Sequence, residues 1–211
     1  MNTNCGVYYS STDSPIGPLL LTSDGVSLTG LYMSEYRHGP SAEDALSEWG
    51  IPATPGKKQR WIHDDNARPF SEAKEQLADY FEGKLTEFDL PLSMEGTEFQ
   101  RRVWDALREI PYGTTTSYGE LARRVGNPNG SRAVGLANGH NPISIIVPCH
   151  RVIGSNGKLT GYGGGLPRKA ALLDFEFSVL INGPISFPRM TAEEIPHSDE
   201  SVASGSSWVM G

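Results

Sequence analysis

Apolar and polar positions in the first part of the chain predict a small α+β unit. Two apolar runs, residues 19–22 and 26–33, flank Ser23-Asp24-Gly25, a sequence that favours a turn between two antiparallel strands. Apolar residues then recur at helical spacing, and Gly83 follows them as a stop signal. These helical positions are Ala73, Leu77, Tyr80 and Phe81. The pattern predicts a β-hairpin followed by one helix.

The rest of this unit is less regular. Residues 39–66 are rich in Gly, Pro and charge, which predicts an irregular connection in their middle. Residues 88–92 are compatible with another short strand. We assign residues 1–93 to an N-terminal α+β domain, whose sequence shows no catalytic constellation.

A different pattern begins at Thr97. Thr97 and Gln100 form a capping box, which indicates the N-terminus of a helix. Pro111-Tyr112-Gly113 is expected to end this helix. Its apolar stripe consists of Phe99, Val103, Leu107 and Ile110.

The next segment is typical of a helix-turn-helix unit. Ser117 and Glu120 form a second capping box, a turn follows over residues 127–130, and another helix is predicted over residues 131–138. Two helices joined by a short turn more often only pack against each other than bind DNA. The second helix, however, begins with a lone Arg132 and contains small residues that let a backbone approach a partner closely. These small residues are Ala133, Gly135, Ala137 and Gly139.

The candidate chemistry follows this unit. Residues 143–147 predict a short buried strand, and Cys149 and His150 come soon after it. Residues 154–165 predict a loop, and residues 168–177 predict the last helix. We assign residues 94–180 to a helix-turn-helix domain that carries the candidate active-site cysteine. Residues 181–211, which are polar and aperiodic, are expected to form a flexible tail.

Composition and charge narrow the class of protein. Cys5 and Cys149 are the only cysteines, and without an export signal both are expected to be reduced. No apolar run approaches the roughly 18 residues of a membrane-spanning helix, so a cytoplasmic protein without membrane contact is expected. The net charge is −7, but residues 94–180 carry ten Lys and Arg against seven Asp and Glu. This modest excess permits DNA binding without predicting it.

Cys149 needs a base to become a nucleophile, because an unperturbed thiol is only a few per cent ionised at neutral pH. His150 is adjacent, but consecutive side chains of an extended chain point to opposite faces, so a bridging water is the more natural link. A carboxylate on the far ring nitrogen would orient His150, and Glu176 and Asp174 are both candidates. A lone cysteine after a buried strand is nevertheless more often an inert core residue.

Two other kinds of site are less well supported. A Cys-His pair can bind zinc, but no further Cys or His lies nearby at ligand spacing, so no metal is predicted. Gly161-Tyr162-Gly163-Gly164-Gly165 follows neither the P-loop nor the dinucleotide pattern. We interpret it as a wall whose missing side chains leave room for a flat ligand.

The run Pro148-Cys149-His150-Arg151-Val152-Ile153 resembles the signature of the O6-alkylguanine-DNA alkyltransferases, also called methylated-DNA–protein-cysteine methyltransferases, in their bacterial form. The likeness extends from Asp13 to Glu176 and is strongest from Thr97 onward. Further residues in family order make it specific: Tyr118, Arg132, Asn141-Pro142, Tyr162-Gly163-Gly164-Gly165 and Glu176.

The resemblance implies an α+β fold, with a small ribonuclease H-like N-terminal domain and a winged-helix-like helix-turn-helix domain. It also implies DNA repair by direct reversal, in which Cys149 takes the alkyl group from O6-alkylguanine and from O4-alkylthymine. The product is a thioether, which offers no carbonyl for water to attack. The transfer is therefore expected to be stoichiometric and irreversible, without a cofactor or metal.

The resemblance also implies roles for the residues around Cys149. His150, a bound water and Glu176 would form the relay that ionises the thiol. Asn141 would brace the active-site turn. Tyr118 would press on the phosphate beside the lesion and later hydrogen-bond the purine.

The implied substrate pocket uses backbone groups as well as side chains. The carbonyls of Cys149 and Val152 would face the exocyclic amine of the base. Tyr162 would lie over the ring and the Gly163 N–H would reach O6, with Gly164 in the same wall. Gly163 stands where some family members have Ser, which predicts a wider pocket for bulkier alkyl groups.

The implied partner is double-stranded DNA, bound through its minor groove by a monomer. Arg132 would enter the base stack in place of the extruded nucleotide. Further DNA contacts would come from Ser131, Ala133, Gly135 and Arg151. Some family members hold structural zinc in the N-terminal unit, but Cys5 has no suitable partners, so zinc is not expected here.

Two alternatives stay open. A lesion-sensing protein of the same fold would flip the base without transfer, but relatives of that kind replace the cysteine. A cysteine hydrolase using Cys149 and His150 would leave Arg132 and the helix-turn-helix unexplained.

Overall fold

The computed structural model describes residues 6–33 and 60–195, and its N-terminal part is a four-stranded sheet followed by a helix. The strands are β1 (Val7–Thr12), β2 (Leu19–Ser23), β3 (Leu28–Met33) and β4 (Trp61–His63), in the spatial order β3-β2-β1-β4. Strands β1 to β3 are antiparallel, whereas β4 runs parallel to β1. Helix α1 (Phe70–Phe81) follows and buries Phe70, Ala73, Leu77, Tyr80 and Phe81 in the core.

The predicted hairpin is confirmed, and its turn has a clear local cause. Strands β2 and β3 pair with Leu19 opposite Met33. Between them, Asp24 Oδ1 accepts hydrogen bonds from the N–H groups of Val26 (2.9 Å) and Ser27 (2.7 Å). Gly25 adopts a φ of 94°, which a residue without Cβ tolerates.

One expectation for the N-terminal unit needs correction, and one strand was not predicted. The segment 88–92 forms no strand, because it contacts the sheet at one position only, through an isolated bridge between Leu92 and Leu28. Strand β4 lies near the end of the region 39–66, outside the middle that was expected to be irregular, and its pairing with β1 joins distant parts of the chain. Residues 34–59, which include the middle of that region, lie outside the described residues, as does Cys5.

The C-terminal part contains the predicted helix-turn-helix beside a two-stranded sheet. Its elements are α2 (Glu98–Arg108), β5 (Thr116–Ser117), α3 (Tyr118–Arg124), α4 (Ser131–Gly139), β6 (Val152–Ile153) and α5 (Leu166–Asn182). Strands β5 and β6 pair in parallel and supply the small wing of the expected fold. The architecture is therefore the predicted α+β combination.

The capping signals are accurate for one helix and half accurate for the next. Thr97 and Gln100 form both hydrogen bonds of the capping box at the start of α2. At α3, Ser117 Oγ accepts from the Glu120 N–H, but the Glu120 carboxylate turns to Arg123 instead of returning to the cap. Both helices still begin where the side-chain oxygen satisfies an exposed N–H.

The expected strand over residues 143–147 is wrong. Asn141 closes this segment into a turn by donating from Nδ2 to the Val147 carbonyl (2.7 Å) and accepting the Ile143 N–H on Oδ1 (3.1 Å). Ile145 is held there at a φ of 69°, a conformation rare for a β-branched residue. Burial of the apolar side chains accounts for the apolar pattern, although the backbone is not extended.

Helix α5 is longer than expected and orders the start of the predicted tail. It has 17 residues and ends at Asn182. Phe187 then lies buried against Phe81 and Phe175, with ring centroids 5.4 and 4.8 Å away. The expectation of a flexible tail is therefore wrong for residues 181–190, because an aromatic anchor fixes them to the N-terminal unit. Residues 196–211 lie outside the described residues.

None of the helices in residues 6–33 and 60–195 combines the length and the apolar character that crossing a membrane requires.

Replacing Phe187 by Ala tests this anchor. Large apolar-to-alanine changes in a core cost about 3–5 kcal/mol, and we expect a loss of that order in the free energy of unfolding. Phe177 is 52% exposed, so Phe177→Ala is the matched control and should cost less than about 0.5 kcal/mol. Urea unfolding measures both variants. Equal losses would contradict the packing of residues 181–190.

Candidate active site

Cys149 lies at the start of a short 3-10 helix, Cys149–Arg151, that follows the turn closed by Asn141. Its side chain is only 2% exposed, and the adjacent His150 is fully buried. His150 Nε2 lies 2.9 Å from Glu176 Oε1 of helix α5. Asp174, the other candidate carboxylate, is exposed on α5. Of the two candidate carboxylates, the structure therefore places that of Glu176 on the imidazole that follows Cys149.

The turn before Cys149 is fixed by the N-terminal sheet. The Leu31 N–H of edge strand β3 donates to the Pro142 carbonyl (2.8 Å), and the Ser144 N–H donates to the Leu31 carbonyl (3.2 Å). With the two Asn141 bonds, the segment is held from both sides. A left-handed residue such as Ile145 costs on the order of 1–3 kcal/mol and persists only where its surroundings determine it. The backbone that leads to Cys149 is thus fixed by hydrogen bonds to both Leu31 and Asn141.

Glu176 is the most heavily hydrogen-bonded side chain of the site. Its Oε1 accepts from His150 Nε2, from the Tyr80 hydroxyl (2.8 Å) and from Arg151 Nη2 (2.9 Å). Its Oε2 accepts from Arg151 Nε (2.9 Å) and from the Gly113 N–H (3.0 Å). Burial alone would raise the pKa of this carboxyl, but the interactions with His150 and Arg151 lower it to about 2. Glu176 is therefore ionised.

The position of Arg151 corrects the expectation that it contacts DNA. Its side chain is 6% exposed and forks onto both oxygens of Glu176, and Nη1 donates to the Ile110 carbonyl (2.6 Å). A guanidinium held by three buried acceptors cannot reach a phosphate on the surface. Arg151 instead balances the charge of Glu176.

Burial keeps both members of the Cys149–His150 pair neutral in the free site. It raises the pKa of the Cys149 thiol, against smaller lowering effects of Asn141, Lys169 and Ser144. It also lowers the pKa of His150, although Glu176 acts in the opposite direction. His150 Nδ1 makes no hydrogen bond to any described residue, so the ring has one nitrogen engaged and one available.

Lys169, at the start of α5, was not singled out from the sequence. Its Nζ donates to the carbonyls of Val152 (2.6 Å), Thr160 (2.7 Å) and Gly161 (3.4 Å). Burial lowers its pKa to about 8, while the nearby Cys149 acts to raise it. A lysine at a helix start is usually solvated, so no sequence signal marks this one as buried.

Two tyrosines and two glycines of the predicted pocket lie near Cys149 and His150. The Tyr118 hydroxyl donates towards the carbonyls of Thr160 (3.2 Å) and Gly161 (3.3 Å), and burial raises the pKa of Tyr118 to about 12. The buried Tyr162 ring lies 6.5 Å from the His150 ring, edge to face. Gly163 and Gly164 are buried beside it.

Helix α4 buries one face and exposes the other. Val134, Ala137 and Asn138 are buried, and Asn138 Nδ2 donates to the Cys149 carbonyl at 3.4 Å. The residues expected to contact DNA lie elsewhere on the helix: Arg132 and Ala133 are exposed, and Ser131 and Gly135 are half-buried. Asn138 was missed because a polar residue near a helix end carries no pattern of its own.

The site is thus a buried thiol beside an imidazole and an ionised carboxylate, below an exposed helix. Within the described residues, no group of three or more His, Cys, Asp and Glu side chains is placed to hold a metal ion.

Two protein-family models match almost the whole described chain. The model for the "6-O-methylguanine DNA methyltransferase, ribonuclease-like domain" matches residues 7–94. The model for the "6-O-methylguanine DNA methyltransferase, DNA binding domain" matches residues 98–178.

Individual relatives agree with these matches. The methylated-DNA–protein-cysteine methyltransferase of Mycobacterium tuberculosis is 54% identical over 172 residues, which cover 82% of this chain and 93% of the relative. That of Methanosarcina acetivorans is 49% identical over 172 residues, covering 82% and 99%. The crystal structure of Mycobacterium tuberculosis OGT in complex with DNA superposes with a TM-score of 0.68 at 53% identity, covering 81% of this chain and 93% of that one.

Tyr80→Phe tests the contribution of the N-terminal unit to the buried carboxylate. The change removes one hydrogen bond to an ionised group, and we expect it to lower the free energy of unfolding by about 1.5–3 kcal/mol. Tyr112→Phe is the matched control, because the Tyr112 hydroxyl is buried but makes no hydrogen bond to a described residue. The control should be close to neutral in urea unfolding; an equal loss would contradict the assigned role of Tyr80.

Glu176 should also make the fold sensitive to acid. Its pKa is lowered from 4.5 to about 2, so its ionised form stabilises the fold above pH 4.5, and this stabilisation is lost as pH falls towards 2. Unfolding measured by urea between neutral pH and pH 2 should show this loss. Glu176→Gln, which does not titrate, should be less stable at neutral pH and should lack this part of the pH dependence. An unchanged acid dependence in the variant would contradict the assignment.

Proposed function

The chain belongs to the family of methylated-DNA–protein-cysteine methyltransferases, which repair DNA by alkyl transfer, and on that premise we propose that Cys149 is the alkyl acceptor. The observation that carries the proposal is the buried thiol of Cys149, which is followed in the chain by an imidazole hydrogen-bonded to the Glu176 carboxylate and whose carbonyl is contacted by Asn138 of α4. Cys149 is also the cysteine within the family-like run Pro148 to Ile153.

Helix α4 is the proposed DNA-binding element. Apart from Arg132 and Leu136, the residues that are exposed or half-buried on this helix are small, so a DNA backbone can come close to it; they are Ser131, Ala133, Gly135 and Gly139. This shape suits the minor groove, where a repair protein can bind without reading base edges. The solved complex of the Mycobacterium tuberculosis relative with DNA supports binding to DNA here.

The damaged base must leave the duplex to meet the thiol. A base inside the stack cannot present its alkyl carbon in line with Cys149, and extrusion costs a few kcal/mol. Arg132, exposed at the start of α4, is proposed to fill the gap that the base leaves and so to offset part of this cost. Tyr118, the first residue of α3, is proposed to press on the phosphate beside the lesion and later to hydrogen-bond the purine.

The pocket proposed for the base has the backbone groups that guanine needs. The Val152 carbonyl already accepts from Lys169 but keeps a second lone pair for the exocyclic amine. The Cys149 carbonyl accepts from the Val152 N–H and, at 3.4 Å, from Asn138, so the amine is proposed to replace the long Asn138 contact there. Tyr162, Gly163 and Gly164 form the opposite wall, with the Gly163 N–H proposed to reach O6. The absence of a side chain at Gly163 is proposed to admit alkyl groups larger than methyl.

The proposed reaction begins with ionisation of the thiol. A water bridges Cys149 to the available His150 Nδ1 and carries the proton there, while Glu176 stabilises the resulting imidazolium through Nε2. The thiolate then attacks the alkyl carbon, so that the C–S bond forms as the C–O6 bond breaks. The electron pair of the broken bond stays on the purine, which takes up a proton. No electron donor or further reactant is needed.

The product explains the proposed stoichiometry. A thioether has no carbonyl and a poor leaving group, so water cannot restore Cys149, and each chain reacts once. The same attack applies to O4-alkylthymine, whose alkyl carbon is bonded to an equivalent ring oxygen. Action as a monomer remains a prediction from the resemblance. A cytoplasmic location remains a prediction from the sequence.

Incubation with duplex DNA containing O6-methylguanine tests the function directly. Mass spectrometry should show one methyl group on the Cys149 peptide, in an amount that never exceeds the protein. Cys149→Ala should abolish transfer and keep DNA affinity. An unmodified Cys149 beside tight DNA binding would support a lesion-sensing protein and contradict the proposal, and repeated turnover would contradict the single-use reaction.

Arg132→Ala tests base extrusion separately. Loss of the residue that fills the stack should slow transfer from duplex DNA by about tenfold or more, because part of the extrusion cost is no longer offset. Transfer from a short single strand should change much less. Arg189→Ala removes the same charge from the C-terminal segment and serves as control. Equal slowing on both substrates would contradict the role of Arg132.

A further inference from the structure

Buried polar atoms without hydrogen bonds gather around Cys149. In the described part of the chain there are four such side-chain atoms: Tyr112 Oη, Asn138 Oδ1, Ser144 Oγ and His150 Nδ1. Buried polar groups are nearly always paired, so each exception calls for an explanation. Asn138 contacts the Cys149 carbonyl, His150 is its neighbour in sequence, and Ser144 belongs to the turn before it. Only His150 Nδ1 is used by the proposed reaction.

Ser144 is held so that little but its hydroxyl can move. The residue is fully buried. Its N–H donates to the Leu31 carbonyl (3.2 Å), and its own carbonyl accepts from the Ile146 N–H (2.8 Å). The hydroxyl makes no complete hydrogen bond, yet it lies close enough to the Cys149 sulfur to lower the pKa of the thiol. A rotation of the O–H bond is therefore the motion left to this side chain.

The other groups that face the sulfur have their hydrogens largely committed. Lys169 on α5 donates to three carbonyls. Asn141 in the turn donates one N–H to the Val147 carbonyl, and its side chain also lowers the pKa of the Cys149 thiol, more than Ser144 does, so Ser144 acts beside it. Tyr118 on α3 faces the sulfur too, but its hydroxyl is directed to the loop carbonyls. His150 must receive a proton in the reaction, so it cannot donate at the outset. The single hydrogen of Ser144 is uncommitted.

We propose that Ser144 is a further catalytic residue, whose hydroxyl donates a hydrogen bond to the Cys149 sulfur as the thiolate forms. The inference rests on the proposed function. No proton is transferred from Ser144, because the thiol proton leaves through the water to His150. A donor already in place at a developing charge stabilises that charge without reorganisation. Once the C–S bond has formed, the sulfur is a weak acceptor and the hydrogen bond weakens.

Ser144→Ala should shift the ionisation of Cys149 to higher pH. Without the donor, less thiolate is present at neutral pH, and transfer from O6-methylguanine in duplex DNA should be roughly tenfold slower, as expected for one lost charge-assisted hydrogen bond. At alkaline pH the variant should match or exceed the parent, because a less stabilised thiolate is a stronger nucleophile. The pH dependence of Cys149 labelling by iodoacetamide should shift in the same direction.

Two further variants separate this role from a structural one. Ser144→Thr keeps the hydroxyl, so the midpoint of the pH dependence of Cys149 labelling should equal that of the parent protein. Tyr112→Phe removes another unpaired buried hydroxyl, beside Glu176, and should leave the midpoint in place. Thermal unfolding of each variant shows that the protein is folded. If Ser144→Ala failed to fold, a Ser144→Thr midpoint shifted to higher pH despite the retained hydroxyl would overturn the proposal.

The outcomes are distinguishable from a failure of the proposed function. If the parent protein does not methylate Cys149, the function itself is wrong. If the parent reacts and Ser144→Ala has the midpoint of Tyr112→Phe, only the role of Ser144 is wrong. A transfer rate of Ser144→Ala that is lowered by the same factor at every pH would also overturn the role of Ser144, since that result indicates a disturbed pocket and not a lost hydrogen bond.

Discussion

The carboxylate of Glu176 is the buried charge on which the site is assembled. It accepts five hydrogen bonds, which come from Tyr80 in α1, from Gly113 in the loop after α2, and from the 3-10 helix that begins at Cys149. A carboxylate removed from water is tolerated only when its lone pairs are filled and its charge is balanced. Each of these segments is therefore stable only together with the others. The location of the thiol is a property of the whole fold and not of one loop.

The same burial governs reactivity. Raising the pKa of Cys149 and lowering that of His150 keeps the free site as thiol and imidazole. In the proposed single-use reaction, the thiol stays protonated until a damaged nucleobase enters the pocket. It is thereby protected from reaction with other electrophiles. The thiolate is then not present in the free protein. It forms with the help of neighbouring polar groups that are already in position, which explains why so many of them surround one sulfur.

The sequence predicts most of the architecture and about half of the site. The hairpin, the capped helix α2 and the helix-turn-helix carry local signals, and all three are confirmed. The segment 143–147 misleads, because burial produces the same apolar run in a turn as in a strand. Arg151 misleads for a related reason: a cation near a DNA-binding helix is assigned to DNA unless its buried carboxylate partner, far along the chain, is known. Tyr80 and Lys169 acquire their roles only through tertiary contacts, so no local pattern marks them.

Gly164 links the two parts of the chain in a way that limits how the protein can evolve. A Cβ at this position would overlap the Met33 sulfur, which belongs to an edge strand more than a hundred residues earlier in sequence. Tyr162 rests on the same sulfur through its hydroxyl, at 4.0 Å. Any larger residue at position 164 therefore requires the buried Met33 side chain to move or to be replaced by a smaller one, and either change would disturb the support of Tyr162. The residues at positions 33 and 164 are therefore expected to vary together across relatives, although they belong to different domains.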